Sequence, residues 1–486
     1  MKNDLMAATE LAVKNQSAKT RLLIYIHGGL NKVEESVKQN LILAQLIEND
    51  ASDWSYPRFL VWPSDGPSNY FEHALNISGG RYSENLIRGF FGGTATMFAD
   101  FLEAIVDVPR SWYGQGVNLK DTLWGLNDSN YEGTGNNESK GFKEGTGNNH
   151  PSLFGVSNAW VQAYQNFCSI GNQTGKHCRG FVQDKRVTSD KSDSYVLNGA
   201  NLYWSSYERD SANPIRNPRL LWNRAAGLSR ISIGALAHGE IGAASWRNMK
   251  RRATNISSPT VLFDDRIKKR HSCNNDGNRC VTGAGYFSEI LRQIDQDPNP
   301  SRFEITLIGH SMGAFVLNDL VNANVDLLAR HRVLQDVVYM AAATSIKQSV
   351  DTMYNLYNTF SRYGVSEKDW PRVSNLMLNR LAEIGELMFS GLVPSGSLLT
   401  WIDDVYERPT HPTERTFGSE VNVYAALPSI RKTLGPYYTE KITFKSFDRK
   451  PGSTPEKHGE FNDGQFWKPS FWRIGEESDT QWIRYE

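Results

Sequence analysis

Short apolar runs recur along the chain, and their length is typical of buried β-strands. They are Arg21–Ile26, Phe59–Ser64, Phe303–Ile308, Asp336–Ala343, Ser397–Ile402 and Lys441–Phe447. Stretches with apolar positions at helical spacing lie between or before them, at residues 4–17, Val33–Asn49, Ser245–Ala253, Tyr286–Gln296, two stretches within 345–392 (the second carried by Val373, Leu376, Leu381, Ile384 and Leu387) and a helix from Ala314. The alternation predicts an α/β fold in which helices flank a mostly parallel central sheet.

The run Phe303–Ile308 leads into a tight turn, Gly309-His310-Ser311-Met312-Gly313. An amphipathic helix follows from Ala314. A serine between two glycines at a strand-to-helix turn is the context of a nucleophile elbow. Side chains at the two glycine positions would crowd the neighbouring strand and helix, while the serine itself takes a strained backbone conformation. Ser311 is therefore the candidate nucleophile.

With this turn the chain resembles the α/β-hydrolase family, and within it the lipases and esterases. The resemblance implies a Ser–acid–His triad in that chain order. It also implies a cap or lid where a large insertion interrupts the core. The remaining members of the site are then expected at the carboxyl ends of other strands.

The run Arg21–Ile26 is followed by His27-Gly28-Gly29. In the family that the chain resembles, a His-Gly-Gly turn places an oxyanion-hole amide. By this resemblance the backbone N–H groups of Gly29 and Met312 form the oxyanion hole. Such amides stabilise the negative charge that develops on the substrate oxygen.

The resemblance places the triad acid after the second strand beyond that of the nucleophile. We expect this strand to be Ser397–Ile402, which is followed directly by Asp403 and Asp404. Asp403 is the first candidate and Asp404 the close alternative, and a rival carboxylate is Asp448. The catalytic histidine is expected in the loop after the last strand, where His458 lies.

From about residue 64 to residue 255 the strand and helix alternation is lost. We therefore expect a hydrolase core formed by residues 1–63 and 256–486, and an insertion at 64–255 that is cap-like or lid-like. Within it, residues 86–109 indicate a helix that packs on the sheet or acts as a mobile lid. Residues 126–150 contain Glu-Gly-Thr-Gly-Asn-Asn twice and predict a flexible loop.

Net charge and the length of the apolar runs indicate which partners are not expected. The formal net charge is zero, so the composition does not indicate a broad basic surface for nucleic acid or anionic membranes. No stretch approaches the roughly 18 apolar residues of a membrane-spanning helix. The N-terminus lacks the apolar core of a signal peptide, so we expect either that the protein is not exported by that route, which allows a cytoplasmic location, or that a signal has been removed.

The cysteines weakly favour a secreted or extracytoplasmic location. Cys168 and Cys178 lie close together in sequence, as do Cys273 and Cys280. Two local disulfides would fit a secreted or otherwise extracytoplasmic protein. Free thiols in a reducing compartment and a zinc site are the alternatives, although neither pair has Cys-x-x-Cys spacing.

These features predict a serine-dependent carboxylic ester hydrolase, a carboxylesterase or lipase that acts through an acyl-enzyme. Its substrate would be a small-molecule or lipid ester, with transient contact to a lipid interface, and no metal or organic cofactor is implied. The same apparatus serves thioesterases, amidases and acyltransferases. Two further alternatives are a secreted lipase-type toxin and a non-catalytic binding protein of this fold.

Overall fold

The computed structural model describes part of the chain. The described residues are 19–29, 33–49, 56–62, 64–65, 69–70, 77–78, 81–82, 98, 102, 184–189, 192–197, 201–205, 240–257, 260–262, 279–281, 283–378, 382–383, 386, 396–407, 409, 411–439, 441–447, 455, 457–462 and 466–472. The element numbers below follow chain order within these residues. The predicted helix at residues 4–17 lies outside them.

The strands and helices have the following bounds. The strands are β1 (Thr20–Ile26), β2 (Tyr56–Leu60), β3 (Ile77–Ser78), β4 (Arg81–Tyr82), β5 (Asp184–Ser189), β6 (Ser192–Leu197), β7 (Asn201–Ser205), β8 (Thr260–Leu262), β9 (Arg279–Val281), β10 (Phe303–His310), β11 (Leu334–Met340), β12 (Arg372–Leu378) and β13 (Ile442–Phe447). The helices are α1 (Val33–Asn49), α2 (Glu240–Ser257), α3 (Gly283–Asp295), α4 (Gly313–His331), α5 (Ile346–Arg362), α6 (Leu398–Trp401), α7 (Glu420–Thr439) and α8 (Pro469–Trp472).

The main sheet has the strand order β2-β1-β10-β11-β12-β13-β7-β6-β5. Its first six strands are all parallel and are flanked by helices, which confirms the predicted α/β architecture. β7 pairs in parallel with β13, whereas β6 and β5 extend the sheet by antiparallel pairing. Two small antiparallel pairs, β3 with β4 and β8 with β9, lie outside this sheet.

Contacts divide the chain into two compact units. The first comprises Met1–His73, Ser245–Thr344 and Gln348–Ser374, and the second Ala74–Ala244, Ser345–Lys347 and Asn375–Glu486. The predicted division at residues 64 and 256 stays a prediction. In the first unit, β1, β10 and β11 are buried along nearly their whole length. Continuous burial is typical of parallel strands covered on both faces, and it explains why their sequences are uniformly apolar.

In the second unit, β13 carries an aromatic cluster that anchors the chain beyond the strand. The ring of Phe447 lies 5.6 Å from that of Phe461 and 5.3 Å from that of Phe471. Phe444 meets Phe417 edge to face at 6.0 Å. Aromatic pairs at these separations stabilise packing beyond the area they bury. The segment that contains His458 is therefore fixed to the end of β13.

Two predicted elements are wrong. The segment predicted as a strand at Ser397–Ile402 is helical: α6 continues into a π-helical turn at Ile402–Tyr406. Ser397 caps this helix, since its side chain accepts a hydrogen bond from Thr400 N at 3.3 Å. The segment around Val373 and Leu376, predicted as a helix, is strand β12.

The reason for the second error lies in buried polar side chains. Ser374 and Asn375 lie inside β12 among apolar neighbours and are themselves buried. The Asn375 side chain donates a hydrogen bond to the carbonyl oxygen of Phe417 at 2.8 Å, which compensates its burial. In sequence these two residues resemble the polar face of a helix, although here every position from Val373 to Leu378 is interior.

Candidate active site

Ser311 lies between the end of β10 and the start of α4. Its φ is +51°, a left-handed conformation that is uncommon for a residue with a side chain. The end of β11 holds it in place: Ser311 N–H donates to Met340 O at 2.8 Å, and Ala343 N–H donates to Ser311 O at 3.0 Å. The nucleophile predicted from sequence therefore occupies a strained turn that the neighbouring strand supports on both sides of its peptide.

Gly313 permits α4 to begin directly against β1. A Cβ atom there would overlap the carbonyl oxygen of Ile26 and lie 2.8 Å from that of His27. Both neighbours are backbone atoms and cannot rotate away. At Gly309 a Cβ atom would lie 3.1 Å from Cα of Ala314. The two glycines are thus required by close packing of the turn, as the sequence motif predicts.

The turn after β1 lies beside the serine. β1 and β10 pair in register up to Ile26 opposite Gly309, so the residues that follow each strand are neighbours. A Cβ atom on Gly28 would lie 2.9 Å from Cβ of Ser311, and one on Gly29 would lie 2.8 Å from Cγ of Met312. The structure therefore brings together the serine and both residues predicted for the oxyanion hole.

The position of these turns within the sheet also favours a site. From β1 the chain passes to β2 on one side, while β10 lies on the other side of β1. In open parallel sheets, ligands bind at the carboxyl ends of strands where the strand order reverses in this way. Ser311 and Gly29 follow the two strands that form this switch point.

His458 belongs to the second unit. It is buried and begins a 3₁₀ turn at His458–Asn462. Its backbone N–H donates to a carboxylate oxygen of Glu386 at 2.9 Å. Lys457 and Glu460 close the turn, with a 3.1 Å hydrogen bond from Lys457 N and a 3.3 Å ion pair between the side chains.

Glu386 lies beyond β12, and the sequence interpretation missed it. Burial raises its pKa to about 7, with the negative charge of Glu460 adding to the effect. Glu383, three residues before it, is 3% exposed, and burial raises its pKa well above the ordinary value. The regular alternation of one helix between parallel strands was the available signal, since it favours a strand soon after α5 and a carboxylate following it.

Asp403 follows α6 within the π-helical turn. Its carboxylate accepts hydrogen bonds from Thr416 N at 2.9 Å, Thr416 Oγ1 at 3.0 Å and Asn422 Nδ2 at 2.6 Å. Burial raises its pKa to about 6, although the nearby Arg415 opposes the rise. Asp404 lies 3.9 Å from the guanidinium of Arg415. These contacts tie the turn to the segment that precedes α7, through Thr416, and to the first turn of α7, through Asn422.

Each unit therefore contains one part of the predicted constellation. Ser311, Gly29 and Met312 lie in the first unit, and His458, Asp403 and Asp404 lie in the second. The first set can supply a nucleophile and two backbone donors. The second can supply an imidazole and, in Asp403, a buried carboxylate whose pKa is raised to about 6, within reach of near-neutral pH.

Comparison of the chain with known protein families, curated proteins and solved structures gives no match. The function of the chain is therefore inferred from the geometry of these turns.

Other predicted features lie elsewhere. Cys168, Cys178 and Cys273, the loop at 126–150 and Asp448 are outside the described residues, and for Cys280 the backbone in β9 is described. Among described residues, no cluster of three His, Cys, Asp or Glu side chains is placed to hold a metal ion. None of the described helices has the length and apolar character needed to cross a membrane.

Proposed function

We propose that the chain is a serine hydrolase of the α/β-hydrolase type that cleaves carboxylic esters. The observation that carries this proposal is the conformation of Ser311, at φ +51° between a buried parallel strand and a helix. A strained serine at that place, beside the glycine turn of the adjacent strand, is the arrangement of a nucleophile elbow. Its position at the sheet's switch point supports the same function.

In the proposed mechanism, the Ser311 hydroxyl attacks the ester carbonyl while His458 takes its proton. The carbonyl π electrons move to oxygen, and the N–H groups of Gly29 and Met312 donate to that oxyanion. Collapse of the tetrahedral intermediate breaks the bond to the alcohol, which leaves with the proton from His458. A water molecule, deprotonated by His458, then attacks the carbonyl of the acyl-enzyme. As the second tetrahedral intermediate collapses, the bond to Ser311 Oγ breaks, His458 returns the proton to that oxygen, and the acid is released.

For the triad acid we propose Glu386 in place of Asp403. Glu386 follows the second strand beyond that of the nucleophile, which is where the resemblance places the acid, and it already binds the backbone of His458. Both oxygens of Asp403 are held by Thr416 and Asn422, and it follows a helix. A carboxylate that positions the imidazole stabilises the imidazolium formed during attack.

The proposal commits to oxygen esters as substrates. A lid formed by the predicted insertion, and a choice between short and long acyl chains, belong to the same proposal. The shape of the acyl pocket sets which chain length is preferred. Each methylene group that fits the pocket changes the binding free energy by about 1–3 kcal/mol. The preferred acyl length is therefore measured with a series of model esters.

The test uses purified protein, a fluorophosphonate probe and p-nitrophenyl esters of increasing acyl length, with and without a lipid interface. We expect native protein and Ser301→Ala, which changes an exposed serine, to be labelled and active. Ser311→Ala should show neither property. Equal labelling of native protein and Ser311→Ala, or no labelling of native protein, would reject the proposal.

A further inference from the structure

We infer that His27 is a positioning residue, which directs the N–H of Gly29 into the oxyanion hole by holding the carbonyl of Gly28. This inference rests on the proposed function. It concerns one peptide group, the one between Gly28 and Gly29, and the side chains that bind its oxygen.

The hydrogen bonds fix the tautomer of His27. The backbone N–H of Trp62 lies 3.1 Å from Nε2 of His27, and a backbone N–H can only donate. Nε2 is therefore an acceptor, so the imidazole proton resides on Nδ1. Nδ1 lies 2.5 Å from the carbonyl oxygen of Gly28, to which it donates.

Two further contacts complete this latch, which we define as His27, Trp62 and Ser64. The Ser64 hydroxyl donates to Gly28 O at 3.4 Å, and the indole N–H of Trp62 donates to His27 O at 3.3 Å. The His27 and Trp62 rings stack at 5.9 Å between centroids. All three side chains are buried, at 2%, 1% and 0% exposure, so water does not compete for these bonds.

The geometry of the peptide bond transmits this contact to the site. In a trans peptide the carbonyl and the following N–H point in opposite directions. Fixing Gly28 O towards the His27 ring therefore fixes the Gly29 N–H on the opposite side. Because glycine tolerates many backbone conformations, a Gly-Gly peptide has little resistance of its own to a flip. A flipped peptide would present its carbonyl oxygen to the substrate and repel the developing oxyanion.

The charge state of His27 suits this role. Burial lowers its pKa to about 4, so the ring is neutral at the pH where a histidine general base operates. The single proton stays on Nδ1, where it binds Gly28 O. The latch therefore keeps one hydrogen-bonding pattern throughout the catalytic cycle.

The experiment compares three variants on the best model ester. His27→Phe keeps an aromatic ring for stacking but removes both nitrogens, and His27→Asn restores a donor at the Nδ1 position. Ser64→Ala removes the second donor to Gly28 O. We expect kcat to fall by about 30-fold in His27→Phe and about 3-fold in Ser64→Ala, with KM within about 2-fold of native, because the loss is confined to the transition state. His27→Asn should recover part of the loss.

Binding of two inhibitors separates positioning from a general structural role. An alkyl boronic acid forms a tetrahedral adduct on the serine and uses the oxyanion hole, whereas an uncharged ether analogue of the ester does not. We expect boronate affinity to fall in parallel with kcat across the variants and ether affinity to stay unchanged. Matched losses of both affinities, or native kcat in Ser64→Ala and in any folded His27→Phe, would overturn the inference. An inactive, unlabelled native protein would instead reject the proposed function.

Discussion

Glu386 accepts a hydrogen bond from the backbone N–H of His458, with the two atoms 2.9 Å apart. The contact joins the segment after β12 to the turn after β13. A carboxylate that binds the main chain of a histidine also limits where its ring can lie. Because burial raises the pKa of Glu386 to about 7, its charge state changes in the range where a histidine titrates.

The first prediction separates the roles of Glu386 and Asp403. We expect Glu386→Gln to lower kcat by about 10²- to 10⁴-fold, because an amide fails to stabilise the imidazolium. We expect Asp403→Asn to keep kcat within about 3-fold of native but to lower the free energy of unfolding by about 1–3 kcal/mol, since a donor then faces Thr416 and Asn422. Steady-state kinetics and urea unfolding measure the two effects.

Asp404→Asn is the control for this comparison, because it changes a neighbouring carboxylate that lies 3.9 Å from Arg415 and is not fully buried. It should leave both kcat and stability close to native. If Asp403→Asn lost activity while Glu386→Gln kept it, the original assignment of the acid to Asp403 would be correct.

The second prediction concerns pH and stability. Glu386 has an ordinary pKa of 4.5 and a folded pKa of about 7, so the folded state binds its proton more tightly. Its stabilising contribution is fully present below about pH 4.5 and is lost as the pH rises through 7. The slope is at most about 1.4 kcal/mol per pH unit for one proton.

The measurement is the difference in unfolding free energy between native protein and Glu386→Gln from pH 4.5 to 7.5. Subtraction removes the contributions that both proteins share. The stabilising contribution of Asp403 is likewise lost as the pH rises, between 3.8 and about 6. His27 has a lowered pKa, so its contribution is lost in the opposite direction, as the pH falls from 6.5 through about 4. A pH-independent difference would show that Glu386 does not titrate as its burial indicates.

Local chemistry explains which parts of the site could be predicted from sequence. The turn around Ser311 and the turn at Gly28 are defined by residues that are adjacent in the chain, and their glycines are required by contacts at strand ends. The structure places both turns as the motifs predict. Because the residues of each turn are adjacent in the chain, a short sequence motif is enough to predict it.

The acid depends on a strand whose pattern is ambiguous. Val373 and Leu376 fit a helical stripe, and only the tertiary contact between Asn375 and Phe417 shows why polar residues are buried there. The strand β7 presents a similar difficulty, since it joins the main sheet by pairing with β13, more than two hundred residues away. β6 and β5 then extend the sheet from β7 by local pairing. Even so, Asn198-Gly199 lies between β6 and β7 and is a hairpin signal that the composition of the region obscured.

The third prediction tests the packing of the elbow. We expect Gly313→Ala to lower the free energy of unfolding by about 3 kcal/mol, because the new Cβ atom would overlap the carbonyl of Ile26. Gly364→Ala is the control: its φ is +64°, but an added Cβ would meet no atom within 4 Å. That change should lower stability by only about 1 kcal/mol, which is the conformational penalty alone. Equal effects in urea unfolding would contradict the close contact.

The fourth prediction concerns the support behind the serine. Tyr339 pairs with Gly309 in the sheet, and its hydroxyl donates to Oδ1 of Asn318 at 2.6 Å. Asn318 in turn donates to Ser349 at 3.4 Å. Burial raises the pKa of Tyr339, so the hydroxyl remains a donor. We expect Tyr339→Phe to lower the free energy of unfolding by about 1–2 kcal/mol, because a buried acceptor loses its partner.

Tyr363→Phe provides the matched control, since its hydroxyl donates to Asp326 at 3.4 Å and its side chain is 40% exposed. Its effect should stay below about 0.5 kcal/mol because water replaces the lost bond. A double-mutant cycle of Tyr339→Phe with Asn318→Ala should give a coupling energy of about 1 kcal/mol. Additive effects would show that the two side chains do not stabilise each other.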